Sequence, residues 1–387
     1  DDPDDGLGLV VSGIDNTGTI RVGGTEDDPI TGANRGLAIR GDGAFTGDLS
    51  NGGTGTIAVS GAGSIAIDIA SDLNGTFRNE GAVSASGDGS IAVRTAADLG
   101  LGYANIGSTT AAAVNGSATS VLIDDGGRMT RLLNNGELLA EIVTEGDTAG
   151  RAVGVEVLSG GRLERFENNG RLAVAGTGAA TEAVAIIDRS GTLGELANRG
   201  TISAQLSGAG DTRAVAIDLS ANTGGVTLTN TGRFTGTEDG DDDGNFGFVA
   251  AQITGDVVLG AGDDEVAFAG AQSAGRIDFG AGANSFTLTT LAGTGDAEGE
   301  LRGSLASGRF TFGAGDDTVS VSGSALVGAV DLGAGQNSVT LVDGARFSGT
   351  LVGGDRTTLL VDGAALDLTG EAGDRRASCR ERVYTKV

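Results

Sequence analysis

Along this chain, apolar and polar residues alternate over runs of only a few positions, and the runs recur in step with an asparagine. Val83 and Ala85, Leu172 and Val174, and Ile202 and Ala204 each come after the same small punctuation, Asn-x-Gly. Alignment on the asparagine gives Asn16, Asn51, Asn79, Asn105, Asn134, Asn168, Asn198 and Asn230, at intervals of 26 to 35 residues. An apolar residue stands two places before each: Ile14, Leu49, Phe77, Tyr103, Leu132, Phe166, Leu196 and Leu228. Asn51 is irregular, with an inserted Gly-Thr before Ile57, and Asn105 is degenerate, with Thr109 where the other units are apolar. Strict alternation over so few residues predicts short strands that point one side chain in and the next out.

Each unit carries a second signature about a dozen residues before its asparagine: SIAIDI (64–69), SIAVRT (90–95), SVLIDD (120–125), AVAIID (183–188) and AVAIDL (214–219). A third short segment such as GRLERF (161–166) lies between. One unit therefore holds about three strands joined by tight corners. Gly and Asn are expected at those corners because both tolerate left-handed backbone. A lone unit cannot bury its apolar positions, but a stack of copies can, each strand pairing in parallel with its counterpart one repeat away. The corner asparagines would then hydrogen-bond to one another as a ladder. The expected fold is all-β, a right-handed parallel β-helix, with Ile67, Val83, Leu172, Ile202, Ile217 and Phe234 pointing inward.

From about residue 251 the pitch shortens. VVLGAGDDEVAF (257–268), IDFGAGANSFTL (277–288), FTFGAGDDTVSV (310–321), VDLGAGQNSVTL (330–341) and TLVGGDRTTLLV (350–361) recur mostly at steps of 20 residues, with one step of 33. The chain thus divides into long rungs over 1–250, short rungs continuing the same solenoid over 251–365, and a tail, 366–387. Eight long units and five short ones predict about thirteen coils.

Composition narrows the chemistry. The 387 residues include 72 glycines, two prolines, one cysteine and no histidine, with a net charge of −27. Without histidine, no Ser-His-Asp or Cys-His nucleophile and no histidine metal site can form. Cys379 alone cannot make an internal disulfide. The acidic balance disfavours nucleic acid and anionic membrane as partners, and no apolar run is long enough for a transmembrane helix. The sequence opens at Asp1 in a polar stretch, so an export signal is expected to have been removed, or the sequence to be a fragment.

Three motifs could carry function. In EDGDDDGN (238–245), Asp239, Asp241, Asp243 and Gly244 repeat the first half of a calcium loop, but Ala250 stands where an EF-hand places its bidentate Glu. The bland reading is a solvated acidic loop at the junction between rung types. GAGDDEVAF and GAGDDTVSV match part of the calcium repeat of β-rolls, yet their copies are too far apart and the intervening ones carry Asn284 and Asn337. A turn in which Asp or Asn caps the backbone accounts for them. Arg40, Gly41 and Asp42 spell an integrin-type attachment tripeptide, which chance readily produces in a chain this rich in Gly, Arg and Asp. No cofactor other than calcium is expected.

The NNG-x-L, NRG-x-I and NTG-x-F corners, the AVAI strands and the GAGDDTVSV rungs resemble the passenger region of bacterial autotransporters over residues 10 to 365. The resemblance implies export, passage through a C-terminal outer-membrane β-barrel, and a β-helix displayed at the cell surface. Many members act as adhesins or in autoaggregation. No barrel strands come after residue 365 here, and no enzyme domain interrupts the solenoid. The expectation is a non-catalytic stalk or adhesin, extracellular, whose partner is a surface receptor or a copy on a neighbouring cell. The alternatives are a lyase-like carbohydrate-active β-helix, recognisable by a groove with converging Asp and Arg on neighbouring coils, and a calcium-stabilised matrix protein.

The tail GDRRASCRERVYTKV departs from all of this. It holds the only Lys and the only Cys, and residues 371–387 carry five basic and three acidic groups. RASCRERV resembles the translation of a common sequencing adapter, so the expectation is a terminus foreign to the solenoid; a short basic linker is the alternative.

Overall fold

The structure is a computed structural model, describing residues 13–23, 33–145, 148–178, 181–207, 213–238, 246–354 and 356–369. It is a parallel β-helix. One ladder runs its whole length through thirteen strands, from Gly13–Asn16 to Arg356–Asp362, each pairing in parallel with its counterpart a coil away. At about 4.8 Å per coil this makes a stack on the order of 60 Å long. Among the described residues no helix is long and apolar enough to cross a membrane.

The long coils have three sides. After the ladder that ends in asparagine comes a second, exemplified by Glu137–Val143, Arg171–Thr177 and Thr201–Ser207. The third holds the AVAI segments Gly150–Val157, Thr181–Asp188 and Arg213–Asp218. Inward columns run along each side, such as Leu132–Phe166–Leu196–Leu228 and Leu138–Leu172–Ile202, all fully buried. Ile67, Val83, Leu172, Ile202 and Ile217 point inward as expected.

The asparagine corner works as expected, but its glycine is there for a different reason. The carboxamides form an unbroken ladder of seven bonds from Asn16 to Asn230, each Nδ2 donating to the Oδ1 of the next at 2.7–2.9 Å. Each interior amide also reaches across the corner: Asn134 Nδ2 donates to the Arg171 carbonyl at 3.1 Å and Asn168 Nδ2 to that of Thr201 at 3.0 Å. Among the described residues only Asn115 and Asp343 are non-glycine positions with positive φ, so the corner asparagines are not left-handed. Nor are the glycines beside them. A Cβ on Gly136, Gly170 or Gly200 would lie 1.9–2.1 Å from the carbonyl oxygen of the corresponding glycine one coil earlier. Glycine is required because coils stack there backbone to backbone.

The shortening of the rungs is a fusion of two sides. Ala251–Thr254 and Asp256–Val258 both pair with one long strand, Ala271–Gly280. Later coils repeat that strand as Leu305–Phe312, Ala325–Asp331 and Arg346–Val352. It bends at a column of stacked glycines, Gly275, Gly308, Gly328 and Gly349, whose φ values of 132–152° suit glycine. Losing one corner per coil brings the period down to 20 residues.

Phe234 is a correction. The text NTGRF promises another inward strand, but Arg233–Glu238 turns out of the solenoid and pairs antiparallel with Phe246–Val249. The position beside Ile202 is filled by Ile253 instead. Phe234 is half-exposed, tilted against Phe248 with ring centroids 5.3 Å apart.

Candidate functional site

Charge concentrates on the outer surface of the AVAI ladder. Parallel register places Asp68, Arg94, Leu122, Glu156, Ile187 and Asp218 in one outward column, each from a different coil. Asp68 is fully buried, because three guanidiniums close over it. Arg35 Nε donates at 2.7 Å, Arg94 Nη1 at 2.8 Å, and Arg40 Nη2 also donates. Burial alone would push the Asp68 carboxyl up; the bonds from Arg40, Arg35 and Arg94 prevail and hold it below the usual carboxylate range. Arg94 extends the chain of pairs to Asp124.

A second cluster begins three coils on from Asp68. Arg151, Glu182 and Arg213 lie side by side on adjacent strands with alternating sign. Arg151 bridges Glu156 at 3.0 Å and Glu182 at 2.9 Å, Arg189 reaches Glu156 at 3.1 Å, and Arg213 joins Glu182 at 3.2 Å to Asp218 at 2.8 Å. On the same ladder Val153, Val184, Ile187 and Val215 form a small buried apolar cluster separate from the core. Glu182, Ile187, Asp188, Arg189, Arg213, Asp218, Ser220 and Ala221 line a cleft of about 300 Å³.

The carboxylates of that cleft are already engaged. Asp188 accepts from the backbone of Ser190 and Leu193 and from the Ser190 hydroxyl; Asp218 accepts from Ser220 and Arg213. Converging Asp and Arg on neighbouring coils are present, therefore, in a self-satisfied arrangement. No motif in the sequence announces this cluster. Its members lie about 30 residues apart, and only the coil register shows which of many Arg and Glu meet.

Arg40, Gly41 and Asp42 lie on an exposed bend just after the strand Arg35–Ile39. The Gly41 carbonyl accepts from the Ser71 hydroxyl at 2.9 Å, and the Arg40 guanidinium is held by Asp68. Asp42 is exposed. Asp239, Asp241 and Asp243 lie outside the described residues, and among those described no group of three or more acidic or cysteine side chains could hold a metal ion.

Among the described residues two hairpins interrupt the smooth stack. The first is the pair Arg233–Glu238 and Phe246–Val249. The second, Leu291–Ala292 with Leu301–Arg302, is carried by the 33-residue step. Both leave from the corner after the asparagine-side ladder, and they meet: the Arg302 guanidinium sits 5.8 Å from the Phe234 ring and 5.9 Å from the Phe248 ring. Glu300 pairs with Arg302 at 2.7 Å. Val249, Leu301 and Leu305 are exposed around this joint.

Comparison with family models, with curated proteins and with solved structures finds no match to this chain.

Proposed function

We propose that the chain is the β-helical passenger of an autotransporter, a surface-displayed rod with a stalk or adhesive role and no catalysis of its own. The observation that carries this reading is the pair of hairpins joined by Arg302. A stack of coils is a uniform scaffold, and insertions that leave it on one side are where repeat proteins place their contact surfaces. Here the insertions present half-exposed Phe234 and Phe248 with exposed Val249 and Leu301, beside exposed Leu305 at the start of the following coil strand. The partner is a surface receptor or a copy on a neighbouring cell, and the anchor an outer-membrane β-barrel encoded downstream.

Display of the chain on a non-aggregating bacterial surface tests this. Settling or binding to host cells is expected, and Phe248→Ser with Leu301→Ser is expected to abolish it while the rod still folds. Unchanged adhesion in that variant, or none from the parent, would remove the hairpins from the reading. Attachment through Arg40, Gly41 and Asp42 would require Arg40 to leave Asp68, so Asp42→Ala is expected to have no effect.

A second reading has one observation in its favour. The cleft between Arg189 and Arg213 brings acid and base from adjacent coils together, as a carbohydrate-active β-helix would. Incubation with uronate polysaccharides, read as new ultraviolet absorbance from an unsaturated product, would establish it if the signal vanished in Arg189→Ala. For the calcium-stabilised alternative, titration calorimetry should register heat that Asp241→Asn and Asp243→Asn remove.

A further inference from the structure

The two-side coils contain a buried polar column of their own. Register aligns Glu265, Ser285, Thr318 and Ser338, so the residues just before them, Asp264, Asn284, Asp317 and Asn337, occupy one position in four successive coils. All four are buried, none more than 2% exposed. Their Oδ1 atoms do the same work. Asp264 Oδ1 accepts from the Val226 N–H at 2.8 Å, Asn284 from that of Asp264 at 3.1 Å, Asp317 from Asn284 at 2.8 Å and Asn337 from Asp317 at 2.9 Å.

The second side-chain atom separates the residue types. Asn284 Nδ2 donates to the Gly282 carbonyl at 3.1 Å and to Asp317 Oδ1 at 3.0 Å, and Asn337 Nδ2 donates to the Leu332 carbonyl at 3.1 Å. Asp264 Oδ2 and Asp317 Oδ2 occupy the corresponding place and are buried without any partner. Asn222 Oδ1, in the coil before Asp264, is a further buried acceptor with no donor. The column uses a donor at this place in the asparagine coils, and an ionised carboxylate has none.

We propose that Asp264 and Asp317 stand in this column as neutral carboxylic acids, each Oδ2–H serving as the asparagine Nδ2 does, and that the two-side coils are thereby tightened by protons. Ionisation would leave a buried charge against acceptors, at a large cost. The surroundings contain no counter-charge. The facing loop segments, residues 222–226, 281–285 and 334–338, have no titratable side chain. The charged residues beside the two acids are Asp263, Glu265 and Asp316, all of the same sign. Burial, with a smaller push from the Asp263 charge, prevails over the Val226 bond to push Asp264 up to about 6; burial, with a smaller push from Asp316, likewise prevails over the two Asn284 bonds to raise Asp317. The folded chain holds these protons more tightly than the unfolded one, so their stabilisation is complete below about pH 4 and is lost as pH rises through the raised values, for Asp264 about 6.

The test compares Asp264→Asn/Asp317→Asn with Asp263→Asn/Asp316→Asn on the whole chain, in chelator, at fixed ionic strength. The second pair makes the same charge change on the exposed neighbours, whose Oδ1 atoms accept from Ala283 and Gln336. Near pH 8 the first variant should melt at least about 3 °C above its control, and near pH 4 the two should coincide. Near pH 6, where ordinary carboxyls are almost fully ionised, the infrared band of protonated carboxyl should be stronger in the parent than in the first variant. A variant that melts at or below its control near pH 8, or a band no stronger in the parent, overturns the proposal. So does a parent that calcium stabilises near pH 8 when the first variant is indifferent, since a cation would then fill the place of the proton.

Discussion

Tyr103 and Thr109 hold each other inside the solenoid. Their hydroxyls lie 2.8 Å apart, both residues are buried, and the Asn105 corner separates them. Tyr103 occupies the column of Phe77 and Leu132, stacked on Phe77 with ring centroids 4.2 Å apart; Thr109 occupies that of Val83 and Leu138. Asn79 Nδ2 donates to the Thr109 hydroxyl at 3.1 Å, which ties both to the asparagine ladder. Two departures from the repeat are one feature: a hydroxyl in the Phe column needs a partner, and the next side of the same coil supplies it. Burial accordingly raises the Tyr103 phenol above its ordinary value.

Thr109→Val should therefore cost about 1–3 kcal/mol, because it leaves the buried tyrosine hydroxyl only its long bond to Asn105 Oδ1 at 3.3 Å. Adding Tyr103→Phe should recover most of the loss, since the pair becomes two apolar neighbours of the same shape. Urea melts of the two single variants and the double variant measure the coupling. Simple additivity would mean that the hydroxyls do not depend on each other.

The corner glycines give a paired prediction. A Cβ on Gly170 would meet the Gly136 carbonyl oxygen at 2.1 Å, whereas one on Gly18 meets nothing within 4 Å. Neither residue has positive φ, so backbone preference cancels. Gly170→Ala should cost several kcal/mol by forcing two coils apart, and Gly18→Ala should fall within about 0.5 kcal/mol of the parent. Equal effects on thermal melting would contradict the stacking account.

The period, the inward columns and all eight corner asparagines were legible in the sequence, because a stack of coils writes each contact as a repeat. The reason for glycine was not. Left-handed backbone and backbone-to-backbone stacking leave the same letter, and only the coordinates separate them. Phe234 misled for a related reason. Its corner text matches the repeat, but the chain beyond Asn230 can enter an inward strand at once or only some 20 residues later at Ile253, and the corner reads the same either way. The outward pairs, such as Arg35 with Asp68, involve residue types common on any acidic surface. Their meeting depends on a register that no local motif states.

Asp68 should make the first coils acid-labile. Its carboxyl is held low, so its contribution is complete above the ordinary carboxylate pKa of about 4 and is lost as pH falls through the depressed value. This is the reverse of Asp264, and the two together place maximal stability at mildly acid pH. Asp68→Ala should cost about 3 kcal/mol near neutrality, at the low end for breaking a buried ion cluster, because Arg35 and Arg40 are partly exposed and can turn to water. Melting below about pH 4, as the Asp68 carboxyl takes up its proton, should show parent and variant converging. A constant gap down to about pH 2 would exclude the carboxylate as the source.

Deleting residues 170–199 tests whether the stack is modular. The cut spans one period: it joins Asn169 to Gly200, and Gly200 stacks on Gly170 as Gly170 stacks on Gly136. Ladder and core should close over the gap, with Asn134, Asn168 and Asn230 in sequence and Ile202 seated on Leu138. The outer face closes less well. Glu156 now pairs with Ile187, which pairs with Asp218, so removal of the middle coil sets two carboxylates opposite each other. The deletion also takes away Arg189 and Glu182, leaving Arg151 and Arg213 as the cations beside them. Nearest-neighbour stacking predicts a folded rod with one coil fewer, undiminished β-sheet circular dichroism per residue and a lower melting temperature. Glu156→Gln in the deletion background should recover part of that loss, whereas in the full chain it should destabilise by unpairing Arg189. Disappearance of the sheet signal on deletion would show that the coils share one global core and do not fold as stacked units.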